Sequence, residues 1–126
     1  MKANIPEFRV IIAGSRSFFD YHLLCAHADR MLSQVSMTHE IVIVSGGARG
    51  ADRLGETYAK DKGYRVVIYP AKWDVYGKRA GYVRNEQMAK NADALIAFWD
   101  GESMGTRHMI DLAAKYGLKV SVKRFK

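Results

Sequence analysis

The sequence has a single cysteine and no long apolar run, and these absences argue against several classes of protein. Cys25 has no partner for an internal disulfide, which is typical of proteins in a reducing compartment, so we expect a cytoplasmic location. No stretch approaches the roughly 18 consecutive apolar residues of a membrane-spanning helix. The segment 1–10 lacks the apolar run of a signal peptide. We therefore expect no membrane association.

Metal-binding and phosphate-binding motifs of the familiar kinds are also missing. The four histidines show no metal-ligand spacing, so we predict no metal site. The glycine-rich stretch IVSGGARGAD (43–52) matches neither G-x-G-x-x-G nor a Walker loop, because no G-K-[ST] follows its glycines. The sequence therefore disfavours a standard dinucleotide fingerprint and a P-loop NTPase, and we predict no resident cofactor.

Acidic residues are fewer than basic ones. The chain of 126 residues has 13 Asp and Glu against 20 Lys and Arg, which gives a net charge of +7. This excess favours anionic partners such as phosphates, nucleotides or nucleic acid, and the alternative is a basic surface that only aids solubility. Hydrophobic residues make up 48% and charged residues 26% of the chain, so we expect one globular domain over 1–126.

Hydrophobic runs alternate with helix-like segments along the chain. We predict strands at 8–14, 40–46, 64–70, 93–100 and 118–125, helices at 21–35, 50–63, 80–92 and 104–117, and a loop at 71–79. Asp20 is the predicted N-cap of the first helix, and Gly63 is the predicted end of the second. Near-continuous Val and Ile runs are typical of parallel strands, and the last strand alternates like an edge strand. We therefore predict the α/β class: a three-layer α/β/α sandwich around a five-stranded, mainly parallel sheet.

In such sheets ligands bind beyond the carboxyl ends of the strands, so the residues that follow each strand are the candidates for a site. The glycines after the second strand have no side chains to obstruct a ligand that approaches the backbone. The free amides at the start of the next helix can then bind an anionic group. The alternative is a glycine-rich turn that only packs helix against sheet. Asp52 either complements the helix dipole or accepts from a ribose hydroxyl. The segment 72–85 mixes aromatic and basic side chains, which either stack on bases or cover the core.

A second polar loop precedes the last helix and is a further candidate phosphate cradle. Arg84 and Asn85, early in the helix at 80–92, are expected to point into the same crevice. We expect the loops to converge, so that Gly47, Arg84 and Gly105 line one anion-holding pocket. The full set of predicted ligand-binding residues is Gly14, Ser15, Arg16, Ser45, Gly46, Gly47, Arg49, Gly50, Asp52, Arg84, Asn85, Asp100, Gly101, Ser103, Gly105 and Thr106.

Five motifs in order, GSRSF, SGGARGAD, RNEQM, ADALIAFWDG and SMGT, resemble those of the SLOG superfamily, and most closely its small, single-domain YspA-type branch. The resemblance covers about residues 8–122. It implies a Rossmann-like fold, for which we expect the strand order 3-2-1-4-5. It also implies a nucleotide or nucleotide-derived ligand, such as an ADP-ribose or NAD-like compound, and a role as a sensor or binding module.

A more distant likeness is to the LOG phosphoribohydrolases, which carry R-K-x-x-M and P-G-G-x-G-T-x-x-E. Arg84 and Met88 match the first pattern, with Asn85 in place of lysine, and Thr106 ends the G-T pair of the second. The catalytic glutamate of that pattern falls on Met109, which cannot act as acid, base or electrostatic stabiliser.

Hydrolysis of an N-glycosidic or phosphoribosyl bond therefore stays an alternative without an assigned catalytic residue. Asp52, Glu102 or Asp111 would have to supply the working carboxylate. Asp111 lies two residues beyond the expected position, on a different part of the helix surface.

The chain also resembles the DprA/Smf recombination mediators, which carry S-G-x-A-x-G-I-D and a later R-N pair. Residues 45–52 match the first pattern with Ala51 in place of isoleucine, and residues 84–85 match the second. That resemblance implies binding of single-stranded DNA, with which the positive charge agrees. A homodimer is a further possibility, because the first helix offers apolar residues for pairing.

Overall fold

The computed structural model describes residues 5–126, which form five strands and five α-helices. The strands are β1 (Glu7–Gly14), β2 (Glu40–Ser45), β3 (Arg65–Ile68), β4 (Ala94–Trp99) and β5 (Lys119–Arg124). The helices are α1 (Tyr21–Val35), α2 (Ala51–Lys62), α3 (Trp73–Tyr76), α4 (Ala80–Lys90) and α5 (Met104–Lys115). Within 5–126, none of the helices is both long and apolar enough to cross a membrane.

The strands form one parallel sheet in the order β3-β2-β1-β4-β5, which confirms the predicted order. The chain winds outwards from β1 to β3 and then returns to place β4 on the other side of β1. Because right-handed crossovers in opposite directions place their helices on opposite faces, α1 and α2 cover one face and α4 and α5 cover the other. The predicted three-layer α/β/α sandwich is therefore confirmed.

Alternation along β1 divides the core between these two faces. Ile12 packs with Leu24 of α1 and Tyr58 of α2, whereas Ile11 packs with Met88 of α4 on the opposite face. All five side chains are fully or almost fully buried. Each large apolar side chain removed from water contributes about 1.5–3 kcal/mol, so the central strands fix where the loops at their carboxyl ends emerge.

The two edge strands are more exposed than the three central ones. In β3, Arg65 is exposed and Ile68 is 51% exposed, whereas residues 41–45 of the neighbouring β2 are all buried. The alternating pattern predicted an edge strand at 118–125. This is confirmed by β5, which among residues 5–126 pairs with β4 alone. Burial on both faces thus applies to β1, β2 and β4.

The prediction of a loop at 71–79 was wrong. This segment contains the short helix α3 and then a 3-10 turn at Gly77–Arg79. The helix begins with backbone hydrogen bonds from Val75 and Tyr76 to the carbonyl of Lys72, at 3.0 and 2.9 Å. Residues 72–79 are all exposed. Because this helix buries no face, its sequence lacks the apolar periodicity by which helices are predicted.

Asp20 caps α1 as predicted, since its Oδ1 accepts a hydrogen bond from the amide of Leu23 at 3.0 Å. Replacement of Asp20 by alanine is expected to lower the free energy of unfolding by about 1 kcal/mol, because one helix-end amide loses its partner. Urea denaturation measures the change. Asp20→Asn, which retains an acceptor, should lose much less, and an equal loss in both variants would contradict the capping role.

Candidate functional site

Two cavities open at the carboxyl edge of the sheet. The smaller has a volume of 120 Å³ and lies beside β1, where the strand order reverses, among residues of α2, α4 and α5. The larger has a volume of 400 Å³ and adjoins it on the side of β3. Arg16, Ala48 and Arg84 line both cavities, so they form the boundary between them.

The structure brings ten of the sixteen predicted ligand-binding residues to these cavities. The smaller cavity is lined by Gly14, Arg16, Asp52, Arg84, Asn85, Ser103, Gly105 and Thr106. The larger cavity is lined by Arg16, Gly46, Gly47 and Arg84. The predicted residues that lie outside both cavities are Ser15, Ser45, Arg49, Gly50, Asp100 and Gly101.

Arg84 is held in place between the cavities. Its Nη1 donates to the carbonyl oxygen of Gly46 at 2.6 Å, and its Nε donates to Oδ1 of Asn85 at 3.0 Å. Burial lowers the pKa of Arg84, an effect that the neighbouring Asp52 carboxylate opposes. Gly47 therefore lies on one side of the guanidinium and Gly105 on the other, so the single pocket that we expected is divided into two adjoining cavities.

The absence of a side chain at Gly46 makes this arrangement possible. A Cβ atom there would lie 2.6 Å from Nη1 of Arg84 and 2.9 Å from Oδ2 of Asp52. The glycine thus lets a guanidinium and a carboxylate approach the same stretch of backbone. This is the close approach for which we predicted glycines after β2, but protein side chains occupy the space.

Gly50 and Ser15 hold two of the loops together. Gly50 has a φ of 82°, and a Cβ on it would lie 2.7 Å from Cα of Arg16 and collide with the carbonyl oxygen of Ser15. Ser15 is 2% exposed, and its Oγ accepts a hydrogen bond from the amide of Asp100 at 3.1 Å. These residues therefore position the loops after β1, β2 and β4 from beneath the cavities.

Several polar groups of the loop after β4 form hydrogen bonds with each other. Oδ1 of Asp100 accepts from the amides of Glu102 and Ser103, both at 2.8 Å, and these bonds lower the pKa of Asp100. Oγ of Ser103 accepts from the amide of Thr106 at 3.4 Å and caps α5. Nothing lies within 4 Å of a Cβ built on Gly105, so this part of the predicted cradle is open to a ligand.

Asn85 connects the two helices on this face. Its Nδ2 donates to the carbonyl oxygen of Gly105 at 3.4 Å and to Nδ1 of His108 at 3.2 Å. Burial lowers the pKa of His108, which favours the neutral ring that can accept this bond. Asn85 is 7% exposed and therefore orients Arg84 from a fixed position between α4 and α5.

Asp52 is a buried carboxylate in the smaller cavity. It is 5% exposed, and burial raises its pKa to about 6, although the amide of Ala48 donates to Oδ2 at 3.3 Å and the charge of Arg84 lies nearby. Neither Glu102 nor Asp111 lines either cavity. Of the three carboxylates considered for a hydrolase, Asp52 alone reaches the crevice, and the buried Met109 lines the same cavity.

The predicted set of ligand-binding residues omits six residues of the larger cavity besides Trp73. They are Ala48, Arg53, Glu56, Ile68, Pro70 and Ala71. A signal for Glu56 was present, because residues four apart lie on the same face of a helix and Glu56 follows Asp52 by that interval. Trp73, from the aromatic and basic segment, also lines this cavity and is 57% exposed.

Asp52 makes the stability of the fold depend on pH. The folded chain keeps the Asp52 proton up to about pH 6, whereas the unfolded chain releases it near 3.8, so a rise in pH through this range destabilises the fold. The Asp52→Asn variant lacks this titrating carboxyl, so its stability does not change with pH for this reason. The stability of the wild type relative to this variant should therefore fall by about 3 kcal/mol over the range.

Denaturant unfolding of both proteins at several pH values measures this difference. Asp111→Asn, at an exposed position on α5, is the matched control and should show little change. A constant difference between the wild type and Asp52→Asn across the range would show that Asp52 titrates at its ordinary pKa.

Comparison with known proteins places the chain in a family. Residues 8–76 match the model of the YspA, cpYpsA-related SLOG family. Gene 61 protein of Mycobacterium phage D29 is 36% identical over 119 residues, which cover 89% of this chain and 93% of that protein.

Two solved structures have a similar fold. DNA processing protein A of Helicobacter pylori, which binds single-stranded DNA, has a TM-score of 0.70 at 20% identity over 94% of this chain and 66% of its own. DNA processing protein A (DprA) of Streptococcus pneumoniae has a TM-score of 0.72 at 17% identity over 96% of this chain and 51% of its own. The chain thus spans only part of these proteins, and the likeness shows the fold alone. With a family match over more than half of its length and a relative 36% identical, the chain belongs to the YspA, cpYpsA-related SLOG family.

Proposed function

We propose that this chain is a single domain that binds a nucleotide or a nucleotide-derived ligand, such as an ADP-ribose or NAD-like compound, across the two cavities. The observation that carries the proposal is the placement of Arg84 between them. A guanidinium has five N–H donors, and Arg84 uses Nη1 and Nε within the protein. Its remaining donors are available to an anionic group in the crevice.

The smaller cavity suits a phosphate group. Its volume of 120 Å³ is several times what one water molecule needs, so it has room for a tetrahedral anion. Arg16 and Arg84 supply positive charge, and the first turn of α5 at Gly105 adds the positive end of a helix dipole. The carboxylate of Asp52 opposes an anion here, so binding of a phosphate is expected to favour the protonated form of Asp52.

The larger cavity suits the base of such a ligand. Ile68, Pro70 and the exposed indole of Trp73 give it apolar walls, and an indole face can stack on a base. Its volume of 400 Å³ lies in the range of about 300–1,000 Å³ that small-molecule sites occupy. One ligand that passes Arg84 can therefore place its phosphate in the smaller cavity and its base in the larger.

Thermal unfolding with a panel of nucleotides, ADP-ribose and NAD tests the proposal. A ligand at a hundred times its Kd should stabilise the fold by about 2.7 kcal/mol. Arg16→Ala should weaken binding about tenfold or more, because a charge-assisted hydrogen bond contributes roughly 1.5–3 kcal/mol. Arg49→Ala, at an exposed arginine outside both cavities, is the matched comparison and should change the affinity much less. The absence of stabilisation by every ligand would refute the proposal.

A second candidate function is the binding of single-stranded nucleic acid. The observation that favours it is the exposure of three aromatic side chains, Trp73, Tyr76 and Tyr82, in the segment 72–85, which also carries basic residues. Bases stack on such rings and cations hold the phosphates between them. The structural neighbour from Helicobacter pylori binds single-stranded DNA.

Titration of an oligothymidylate at several salt concentrations tests this candidate. The logarithm of the affinity should fall linearly with that of the salt concentration, with a slope of about −0.7 for each phosphate contacted. Trp73→Ala should weaken binding by about 1–3 kcal/mol through lost stacking. Phe19→Ala removes an aromatic ring that is 70% exposed outside this segment and is the control. Affinity that does not respond to salt would exclude this function.

A further inference from the structure

We propose that Glu56 selects the ligand of the larger cavity by accepting a hydrogen bond from an amino group on its base. This inference rests on the proposed nucleotide-binding function and specifies the base. Glu56 lies on the side of α2 that faces the end of β2, and within residues 5–126 no other carboxylate lines the larger cavity.

The Glu56 carboxylate is fixed by one of its oxygens. Oε2 accepts a hydrogen bond from Oγ of Ser45 at 2.7 Å. Ser45 is fully buried, and its Oγ also accepts from the amide of Gly47 at 3.0 Å, so the hydroxyl cannot turn away easily. In the described part of the chain, no donor is bonded to Oε1. A carboxylate held by one oxygen presents the other to the cavity as an acceptor.

The charges around the larger cavity orient a ligand within it. Arg16, Arg53 and Arg84 attract the anionic end of a nucleotide, and Glu56 repels that end. Nε of Arg53 donates to the carbonyl of Gly47 at 3.1 Å, and within 5–126 Glu56 forms no direct ion pair. The negative charge of Glu56 therefore remains available to a donor on the ligand.

The walls of the cavity indicate which donor this is. Ile68, Pro70 and Trp73 form apolar surfaces that suit a flat base, whereas a ribose would lie nearer to Arg84 with the phosphate beyond it. A base bound here would shield the half-buried Glu56 from water, and an acceptor shielded without a donor costs binding energy, so this carboxylate rejects bases that lack an amino group. Glu56 is thus a specificity-determining residue in this arrangement.

The experiment compares the affinities of AMP and purine riboside 5′-monophosphate, which differ only by the amino group of the base. We expect the wild type to prefer AMP about tenfold, and Glu56→Gln to lose this preference through weaker binding of AMP alone. Deoxy-AMP, which lacks the ribose 2′-hydroxyl, is measured in parallel. Glu40→Gln makes the same change of charge at the amino end of β2 and is the matched control.

The possible outcomes separate this inference from the proposed function. If both nucleotides bind the wild type equally, nucleotide binding stands and the role of Glu56 is overturned. If Glu56→Gln instead removes a preference for AMP over deoxy-AMP, the carboxylate contacts the ribose and the inference is wrong. If neither nucleotide binds, the inference about Glu56 is overturned, and the panel with ADP-ribose and NAD decides separately whether the proposed function stands. Thermal unfolding of Glu56→Gln shows whether lost selectivity reflects a change in the site or in the fold.

Discussion

The hydrogen bond from Arg84 to the carbonyl of Gly46 is the interaction on which the candidate site depends. It joins α4, on one face of the sheet, to the loop that leads into α2 on the other. The bond exists only because position 46 has no side chain, since a Cβ would occupy the space of the guanidinium. A side chain there would displace both the cation and the boundary between the cavities.

The polar groups near this bond are held by the protein before any ligand arrives. Asn85 orients the guanidinium and is itself held by Gly105 and His108 of α5. Such preorganisation lowers the conformational entropy that binding costs. Asp52 is also held, by the amide of Ala48, but burial raises its pKa to about 6, so its ionisation costs more in the folded chain than in water. Buried groups with shifted pKa values are typical of functional sites, where local stability is lower than elsewhere in the fold.

The sequence predicted the fold more fully than the site. Apolar runs at β1, β2 and β4 reflect burial on both faces, and the caps at Asp20 and Gly63 are local features that a sequence displays directly. Helix α3 was missed because its stability owes nothing to a buried face. The apolar run at β3 did not by itself mark an edge strand, and the edge position of β3 followed from the strand order that the resemblance implies.

For the site, the turns after the strands were the right places to search, but the pattern of residues did not show how hydrogen bonds are shared. Asp100 accepts hydrogen bonds from the amides of Glu102 and Ser103. The hydroxyl of Ser45 accepts from the amide of Gly47 and donates to Glu56. These pairings depend on tertiary distances of a few ångströms. Neither the division of the crevice by Arg84 nor the free oxygen of Glu56 follows from residue types alone.

The order of the strands has a further consequence. One half of the chain supplies β1, β2, β3 and α2, the other supplies α4, β4 and α5, and they meet where β1 pairs with β4. A molecule seated in both cavities touches groups from each half and is released whenever either half detaches. Binding of such a molecule and separation of the two halves therefore oppose each other. The free energy of binding is added to the cost of partly opening the domain.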